Sequence, residues 1–207
     1  MQGNSLVIPS YKVKHSYDVG GFLDSYAALL QRAIDTIWDN IEWVEKRQRN
    51  CYVIKRERRK VKKYYYVKRL IPRIPKTRGF KRHLRSELLR EWSYASHYVD
   101  STIKTAYSNI NSWRRNYIKG RRKRRKPVVK RKFVRIKETL YTYRDGKIRV
   151  TVKPRELYLE FDISKAWFRR RVEECVLGEL ILKEDELIIT FRKPAAGGRR
   201  PSVSAGT

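Results

Sequence analysis

Residues 113–137, WRRNYIKGRRKRRKPVVKRKFVRIK, mark the point at which the chain changes from a helical to a β pattern. The helical spacing of apolar residues stops at Gly120, six consecutive cations follow, and an alternating pattern begins beyond them. Such a run repels itself and stays hydrated unless a polyanion neutralises it. Because Trp113, Tyr117 and Phe133 are interleaved with the cations, the stretch suits stacking on bases as well as pairing with phosphates.

The composition of the whole chain bears on this interpretation, whose alternatives are a solvated basic loop and a localisation signal. The 207 residues carry a formal net charge of +30, and 41% hydrophobic residues with 14 tyrosines can form a folded core. Self-repulsion on that scale costs stability, and a nucleic-acid partner offsets it by releasing counterions. An anionic membrane is the weaker alternative, because no basic helix with a strongly apolar opposite face occurs.

The positive charge is concentrated in the middle of the chain. Between residues 46 and 137, only Glu57, Glu87, Glu91 and Asp100 interrupt the cations. The middle of the chain is therefore predicted to be the binding surface.

The chain start and the cysteines indicate the compartment. The first ten residues, MQGNSLVIPS, lack the apolar core of a signal peptide, and no segment has the length of a membrane span. Cys51 and Cys175 are isolated, so they form neither a disulfide framework nor a zinc knuckle. These features predict a cytoplasmic, nucleoid-associated protein in a reducing compartment.

The chain begins with a strand pattern followed by a helical one. Residues 6–13, LVIPSYKV, predict a short extended segment. Apolar residues at spacings of three and four then predict one amphipathic helix over residues 19–47. Trp38 and Trp43 are interpreted as packing residues of this helix.

The next region lacks a sustained period until two further helices begin. Residues 47–81 mix apolar and basic side chains, which predicts loops with short pieces of strand or helix. For the three tyrosines at 64–66, the sequence leaves open whether they are buried, stacked on nucleic acid, or both. Helical spacing predicts helices over residues 80–92 and 96–119, the second ending at Gly120.

The last third of the chain has a β pattern. Asp145-Gly146 is a strong two-residue hairpin signal. Ser164 is a candidate N-cap of a short helix that runs to residue 176 and ends at Gly178. The predicted strands span residues 133–143, 147–152, 157–161, 179–182 and 186–192. The pattern predicts an α+β fold in which a helical part is inserted into a small antiparallel sheet or barrel.

Candidate phosphate-binding residues form two groups along the basic middle of the chain. The first group comprises Arg114, Arg115, Tyr117, Lys119, Arg121, Arg122, Lys123, Arg124, Arg125, Lys126, Lys130, Arg131 and Lys132. The second group comprises Lys76, Arg78, Lys81 and Arg82 around Phe80.

One pair of acids is the best candidate for catalysis. Glu160 and Asp162 in LYLEFDISK lie two residues apart and so share one face of a strand, as a magnesium site needs. The alternative is that they are surface acids and that Asp162 caps the following segment. Two-metal chemistry needs further carboxylates placed around such a pair, and the sequence shows no catalytic triad and no phosphate-cradling glycine loop. We therefore predict no catalytic residue, metal or cofactor.

Three segments resemble the N-terminal half of the TnpB (OrfB) proteins of insertion sequences in their archaeal form. They are SYASHYVDSTIKTAYSNINSWRRNYIKGRRKRRKPVVKRKFVR, LYTYRDGKIRVTVKPRELYLEFDISKAWF and LGELILKEDELIITFRK, and the resemblance covers residues 72–193. Proteins of this family use a guide RNA to find DNA. They combine a wedge β-barrel, a helical recognition insertion and a RuvC-like nuclease domain with metal-binding carboxylates and a zinc-binding CxxC pair.

The resemblance implies a domain plan, an OB-like wedge barrel and further site residues. Tyr94, Ser96 and His97 become candidates for reading base edges beside the target, with helix capping and packing as the alternative. The implied parts are a first barrel segment (1–18), a helical recognition domain (19–120), a basic linker (121–132), the wedge barrel (133–193) and a disordered tail (194–207).

The sequence departs from the family after residue 193, where the nuclease domain would start. No CxxC pair and no Asp-bearing nuclease strand follow. The expected function is therefore binding of guide RNA and target DNA without cleavage, with neither a membrane nor a small-molecule substrate as partner. We expect such a chain to be the product of a shortened or decayed transposon gene, a natural short product or an engineered fragment. The alternative function is that of a generic basic protein of ribosomes or chromatin.

Overall fold

The computed structural model describes residues 10–56 and 59–192. The predicted start of the first strand (residues 6–9) and the predicted disordered tail (194–207) lie outside these ranges. The helices are α1 (Gly20–Asp39), α2 (Arg78–Arg90), α3 (His97–Ile118) and α4 (Arg169–Glu174). The strands are β1 (Ser10–Lys14), β2 (Glu42–Arg56), β3 (Arg59–Arg73), β4 (Val134–Ile136), β5 (Tyr141–Arg144), β6 (Lys147–Lys153), β7 (Leu157–Asp162), β8 (Val176–Leu177), β9 (Leu180–Leu182) and β10 (Glu186–Arg192). The predicted α+β class is confirmed.

The chain divides into two compact units. Unit 1 contains residues 10–29, 91–102 and 129–192 of the described ranges, and unit 2 contains the remaining described residues from 30 to 90 and from 103 to 128. Helices α1 and α3 each contribute their first part to unit 1 and their second part to unit 2.

Unit 1 contains two antiparallel sheets. The first has the strand order β1-β10-β9-β4, with β8 also pairing with β10, and the second has the order β5-β6-β7. Their inner faces share one core with the first turns of α1 and α3, represented by Phe22, Tyr26, Tyr98, Ile148 and Ile189. Neither sheet closes into a barrel within the described residues, so the OB-like barrel is not confirmed.

The β5–β6 hairpin forms around Asp145-Gly146 as predicted. Both residues have positive φ, 51° and 76°, which is the backbone of the tight turn that suits the twist of two strands. An alanine at Gly146 would place its Cβ 2.9 Å from the Cα of Ser164. The turn is therefore closed on one side by the backbone that follows β7.

We expect Gly146→Ala to lower the free energy of unfolding by about 2–4 kcal/mol, because left-handed backbone strain and overpacking against Ser164 add. Urea-induced unfolding measures this change. Gly79→Ala is the matched control, since nothing lies within 4 Å of its added Cβ in α2. The control should raise stability by roughly 0.5 kcal/mol. Equal effects of the two substitutions would contradict the steric argument.

Two predictions for the last third of the chain are wrong. The predicted strand 133–143 is broken by a 3-10 turn at Glu138–Leu140, because β4 pairs with β9 whereas β5 pairs with β6. The helix predicted to run from Ser164 to residue 176 is shortened to α4. The cause is a series of turns, in which the backbone N–H of Ser164 binds the carboxylate of Asp162. Gly178 consequently follows β8 and not a helix.

The first helix was predicted to reach residue 47, but α1 ends at Asp39. Asn40 donates from its side-chain amide to the carbonyl oxygen of Thr36 at 2.9 Å, which satisfies a carbonyl of the last turn. Ile41 and Val44 continue the helical spacing by coincidence, since Val44 belongs to β2. Buried residues of α1 in unit 2 include Ala33, Ile34 and Ile37.

The loops predicted over residues 47–81 are largely absent. Instead β2 and β3 pair along their whole length, from Glu42 opposite Arg73 to Arg56 opposite Arg59. We call this pair the ribbon. Tyr64, Tyr65 and Tyr66 are 53%, 45% and 56% exposed, which excludes their burial. Because consecutive strand residues point to opposite faces, both faces of the ribbon are open.

Helices α2 and α3 lie within two residues of their predicted bounds. Gly120 has φ 73°, its N–H binds the carbonyl of Tyr117, and the N–H of Arg121 binds the carbonyl of Asn116. These two bonds form a Schellman motif, which confirms Gly120 as the stop of the segment.

No helix within residues 10–56 and 59–192 is long and apolar enough to span a bilayer.

Candidate nucleic-acid interface

Four aromatic side chains of unit 2 pack into one cluster, which we call the aromatic cluster. The ring of Trp113 meets that of Trp38 edge to face at 4.5 Å and stacks on that of Tyr117 at 5.2 Å. Trp43 contacts Trp38, Trp113 and Tyr117 at 5.7–6.1 Å. The interpretation of Trp38 and Trp43 as packing residues is confirmed, although Trp43 lies on β2 and not on α1.

The six cations at residues 121–126, here called the basic segment, are held on this cluster. The guanidinium of Arg124 lies 3.9 Å from the ring centre of Trp43. The indole N–H of Trp113 donates to the carbonyl of Lys123 at 3.3 Å. Since the glycine cap fixes the first residue as well, the backbone of the segment is anchored at Arg121 and Lys123 while its side chains are exposed.

The last residue of the basic segment is also engaged. The ammonium of Lys126 lies 3.0 Å from the carboxylate of Asp35, and this hydrogen bond raises the pKa of Lys126. Arg124 and Lys126 therefore position the segment. The four exposed cations that remain for a polyanion are Arg121, Arg122, Lys123 and Arg125.

The end of α3 is fastened to the base of the ribbon. Arg114 donates from Nε to the carbonyl of Pro72 at 2.9 Å, and the hydroxyl of Tyr117 donates to the carbonyl of Leu70 at 3.1 Å. In return, Arg69 donates to the carbonyl of Ile118 at 3.0 Å. Arg114 and Tyr117, predicted as binding residues, thus hold the ribbon, whereas Arg115 and Lys119 are exposed.

The ribbon contributes two cations that the sequence interpretation missed, and it places them beside tyrosines for which stacking on nucleic acid was left open. The guanidinium of Arg49 lies 3.7 Å from the ring centre of Tyr64, and that of Arg47 lies 4.5 Å from that of Tyr66. The signal that would have found them is the alternation of Arg47 and Arg49 on one strand face. The register that brings the tyrosines to the same face is set by long-range pairing and is not visible in the sequence.

The second basic group lies at the start of α2. Thr77 accepts from the backbone N–H of Phe80 at 3.3 Å, and Phe80 is half-buried. Lys81 lies 5.5 Å from the ring centre of Tyr107. The exposed members are Lys76, Arg78, Lys81 and Arg82. This group therefore forms a cationic patch on unit 2.

In unit 1, the three residues proposed to read base edges differ in exposure. Tyr94 is half-buried, and its ring packs on those of Phe22 at 4.8 Å and Trp92 at 5.0 Å. Ser96 and His97 are exposed at the start of α3, where His97 lies 3.7 Å from Asp100. Tyr94 thus has a packing role in the core of unit 1.

The cations after the basic segment belong to unit 1 as well. Lys130 and Arg131 are exposed. Lys132 pairs with Asp24 at 2.5 Å, and this hydrogen bond raises the pKa of Lys132. The basic run of the sequence is therefore divided between the two units at residues 128 and 129.

The acids at the end of β7 have structural partners. Glu160 lies 3.8 Å from Arg149, and Asp162 accepts the N–H of Ser164 at 2.8 Å. The hydrogen bonds from Ser164 hold the pKa of Asp162 below its usual range. No group of three potential metal ligands occurs among the described residues. Asp162 thus caps the following turn, as the alternative interpretation proposed.

A pH-dependent loss of stability is expected from this cap. Because the pKa of Asp162 is lowered in the folded state, its contribution is present above the unfolded value of about 3.9 and is lost as the pH falls through the folded value. Asp162→Ala should therefore lower the Tm at pH 7, and the difference from the wild-type chain should shrink below about pH 4. A difference that stays constant across thermal scans from pH 3 to pH 7 would contradict the capping role.

The fold and the charge distribution define a small, strongly basic α+β protein. Comparison with family models identifies the chain as a member of the family described as "Uncharacterized protein MJ0013 family", which it matches over residues 22–151.

Two relatives come from Methanocaldococcus jannaschii. The uncharacterized protein MJ0013 is 50% identical over 152 residues, which cover 72% of this chain and 92% of that protein. The TnpB-like protein MJ1635 is 42% identical over 188 residues, 90% of this chain, but the chain spans only 40% of that protein. The resemblance to TnpB proteins is thereby confirmed. No solved structure matches the chain.

Proposed function

We propose that this chain binds a structured guide RNA, and the DNA to which that RNA directs it, as the binding part of a TnpB-type protein. The proposal is based on the similarity to the TnpB-like protein, whose alignment covers 90% of this chain. It assigns recognition to this chain and no cleavage.

The observation that carries the proposal is the anchored, exposed basic segment. A solvated loop needs no fixed backbone, yet Trp113, Trp43 and Asp35 each hold one residue of this segment. Fixing a run of like charges costs conformational entropy and adds repulsion, so the arrangement suits a partner that neutralises it. A polyanion with regularly spaced phosphates is such a partner.

Unit 1 supports the proposal through its own cations and its exposed helix start. Lys130 and Arg131 are available for backbone contacts, and Ser96 and His97 for contacts to base edges. In this proposal its two sheets take the place of the family's wedge barrel. The linker (121–132) and the recognition part (19–120) retain the roles that the resemblance implies.

The test is sequencing of the RNA that co-purifies with the protein after expression with its native flanking DNA and washing at high salt. The expected result is enrichment of one transcript from the flank of the gene over bulk RNA of equal length. A featureless spread of cellular RNA would favour the second candidate, a generic basic binder with a steep salt dependence and little preference. Magnesium-dependent DNA cleavage that Asp162→Asn abolishes would contradict the non-cleaving assignment.

A further inference from the structure

The middle of the ribbon exposes more aromatic surface than phosphate binding requires. Tyr52, Tyr64, Tyr65 and Tyr66 are each 45–56% exposed, and Val53 and Val61 are exposed beside them. Cations alone neutralise phosphates, and an exposed group of rings beside them marks a surface suited to a partner with flat apolar faces. Nucleobases are such surfaces, provided that they are not already stacked in a duplex.

One face of the ribbon, the arginine–tyrosine face, combines both kinds of group. It carries Arg47 and Arg49 on β2 and Tyr64 and Tyr66 on β3, and the register places all four on the same side. Each guanidinium lies over one tyrosine ring, with its central carbon 4.5 Å from the ring centre for Arg47 and 3.7 Å for Arg49. The stacking restrains the long arginine side chains and the rings together, so less entropy is lost when a ligand binds.

The charge of the ribbon selects the type of partner. Its carboxylates among the described residues, Glu42 and Glu45, lie at the base and pair with Arg73 and Lys68 at 3.5 and 3.6 Å. Beyond Glu45, the charged residues of β2 up to Arg56 and of β3 from Arg59 to Arg73 are all cations. A second copy of the same ribbon would therefore be repelled, whereas a polyanion would be attracted. A single-stranded nucleic acid supplies both phosphates and unpaired bases.

We propose that the arginine–tyrosine face binds an unpaired stretch of RNA, with bases stacked on Tyr64 and Tyr66 and phosphates paired with Arg47 and Arg49. This inference rests on the proposed function and adds a second contact to it, separate from the basic segment. Residues two apart on one strand are about 6.6 Å apart, so an extended strand can place successive nucleotides along the face. A duplex hides its base faces and binds here through its phosphates alone.

The experiment compares the wild-type chain with Tyr64→Leu/Tyr66→Leu on two probes, an unstructured pyrimidine-rich RNA of about 20 nucleotides and the duplex of the same sequence. Loss of two stacking sites should weaken binding of the single strand roughly a hundredfold. Duplex affinity should change less than about threefold, and the salt slope of single-strand binding should stay the same, because no charge is lost. Fluorescence anisotropy titrations over a salt series measure the affinity for each probe and the salt slope.

Two controls separate stacking from damage to the ribbon. Tyr64→Phe/Tyr66→Phe keeps the rings and should bind the single strand within about twofold of the wild-type chain. Tyr52→Leu/Tyr65→Leu changes the opposite face, where these two rings meet at 5.9 Å, and should lose less than about fivefold. Equal losses on both faces, equal losses on both probes, or no loss would overturn the inference.

The outcomes for the two proposals can be told apart. If Tyr64→Leu/Tyr66→Leu causes no selective loss of single-strand binding while one flanking transcript still co-purifies, only the ribbon inference is overturned. If the single-strand effect appears while the co-purified RNA is featureless, the ribbon binds unpaired RNA and the guide assignment is wrong. If Tyr64→Leu/Tyr66→Leu leaves the affinities for both RNA probes unchanged but changes the oligomeric state measured by light scattering, the face binds protein and the inference is overturned.

Discussion

Replacing the four exposed cations of the basic segment by alanine should weaken binding of a structured RNA by roughly two to three orders of magnitude at near-physiological salt. The replaced residues are Arg121, Arg122, Lys123 and Arg125. Arg124 and Lys126 are kept, because they hold the segment on Trp43 and Asp35. The slope of log K against log salt should become shallower by roughly 3, since each lost phosphate contact removes about 0.7–0.9 from it. Anisotropy titrations of an RNA hairpin between 50 and 300 mM salt measure both changes.

The matched control removes the same charge from exposed positions of unit 1. Its four alanine substitutions are at Lys14, Lys147, Lys165 and Arg170. Because counterion release depends on contacts that form, and net charge acts only at long range, this control should lose less than about fivefold in affinity. If both variants lose affinity equally, the effect comes from the net charge of the chain and the basic segment is not a binding site.

Sequence patterns located the elements whose signals are local. Gly120 and Asp145-Gly146 each need positive φ, a requirement that few residues meet, and both were found. Helices α2 and α3 bury a regular stripe, for example Leu84 and Leu88, so their period is visible in the sequence.

The ribbon was not predicted, because two strands that are exposed on both faces have no regular spacing of apolar residues in the sequence. A strand with one buried face alternates, but a two-stranded ribbon that is open on both faces places tyrosines at 64–66 without alternation. In the sequence, the two residues between β2 and β3 are Glu57 and Arg58, and neither is the glycine or asparagine that marks most tight hairpins. The register decides which residues of β2 lie opposite which residues of β3, and a single sequence does not reveal it.

The candidate site was only partly predictable for a related reason. Charge placed the basic segment correctly on the surface, whereas the roles of Arg114 and Tyr117 depend on carbonyls of β3 more than 40 residues away in sequence. A side chain that donates to a distant backbone has the same sequence signature as one that is free to bind phosphate. Composition thus indicates the class of partner, and only the fold separates positioning residues from candidate contacts.

Replacing Trp113 by alanine should lower the free energy of unfolding by about 3–5 kcal/mol, because a large buried ring is lost from the centre of the aromatic cluster. Trp113 is 5% exposed and contacts Trp38, Trp43 and Tyr117. Trp113→Phe keeps an aromatic ring but loses the N–H that donates to Lys123, so about 1–2 kcal/mol is expected. Urea-induced unfolding followed by circular dichroism gives these values.

Trp167→Ala is the matched control, since this tryptophan is 81% exposed and meets Tyr11 and Phe168 only through ring edges. It should cost less than about 1 kcal/mol. Trp113→Phe should also bind the RNA hairpin more weakly than Trp167→Ala at equal folded fraction, because the carbonyl of Lys123 loses its donor and the basic segment gains freedom that binding must remove. If Trp113→Phe binds as tightly as the wild-type chain, the anchoring of the segment contributes nothing to recognition, and its cations act as a solvated loop.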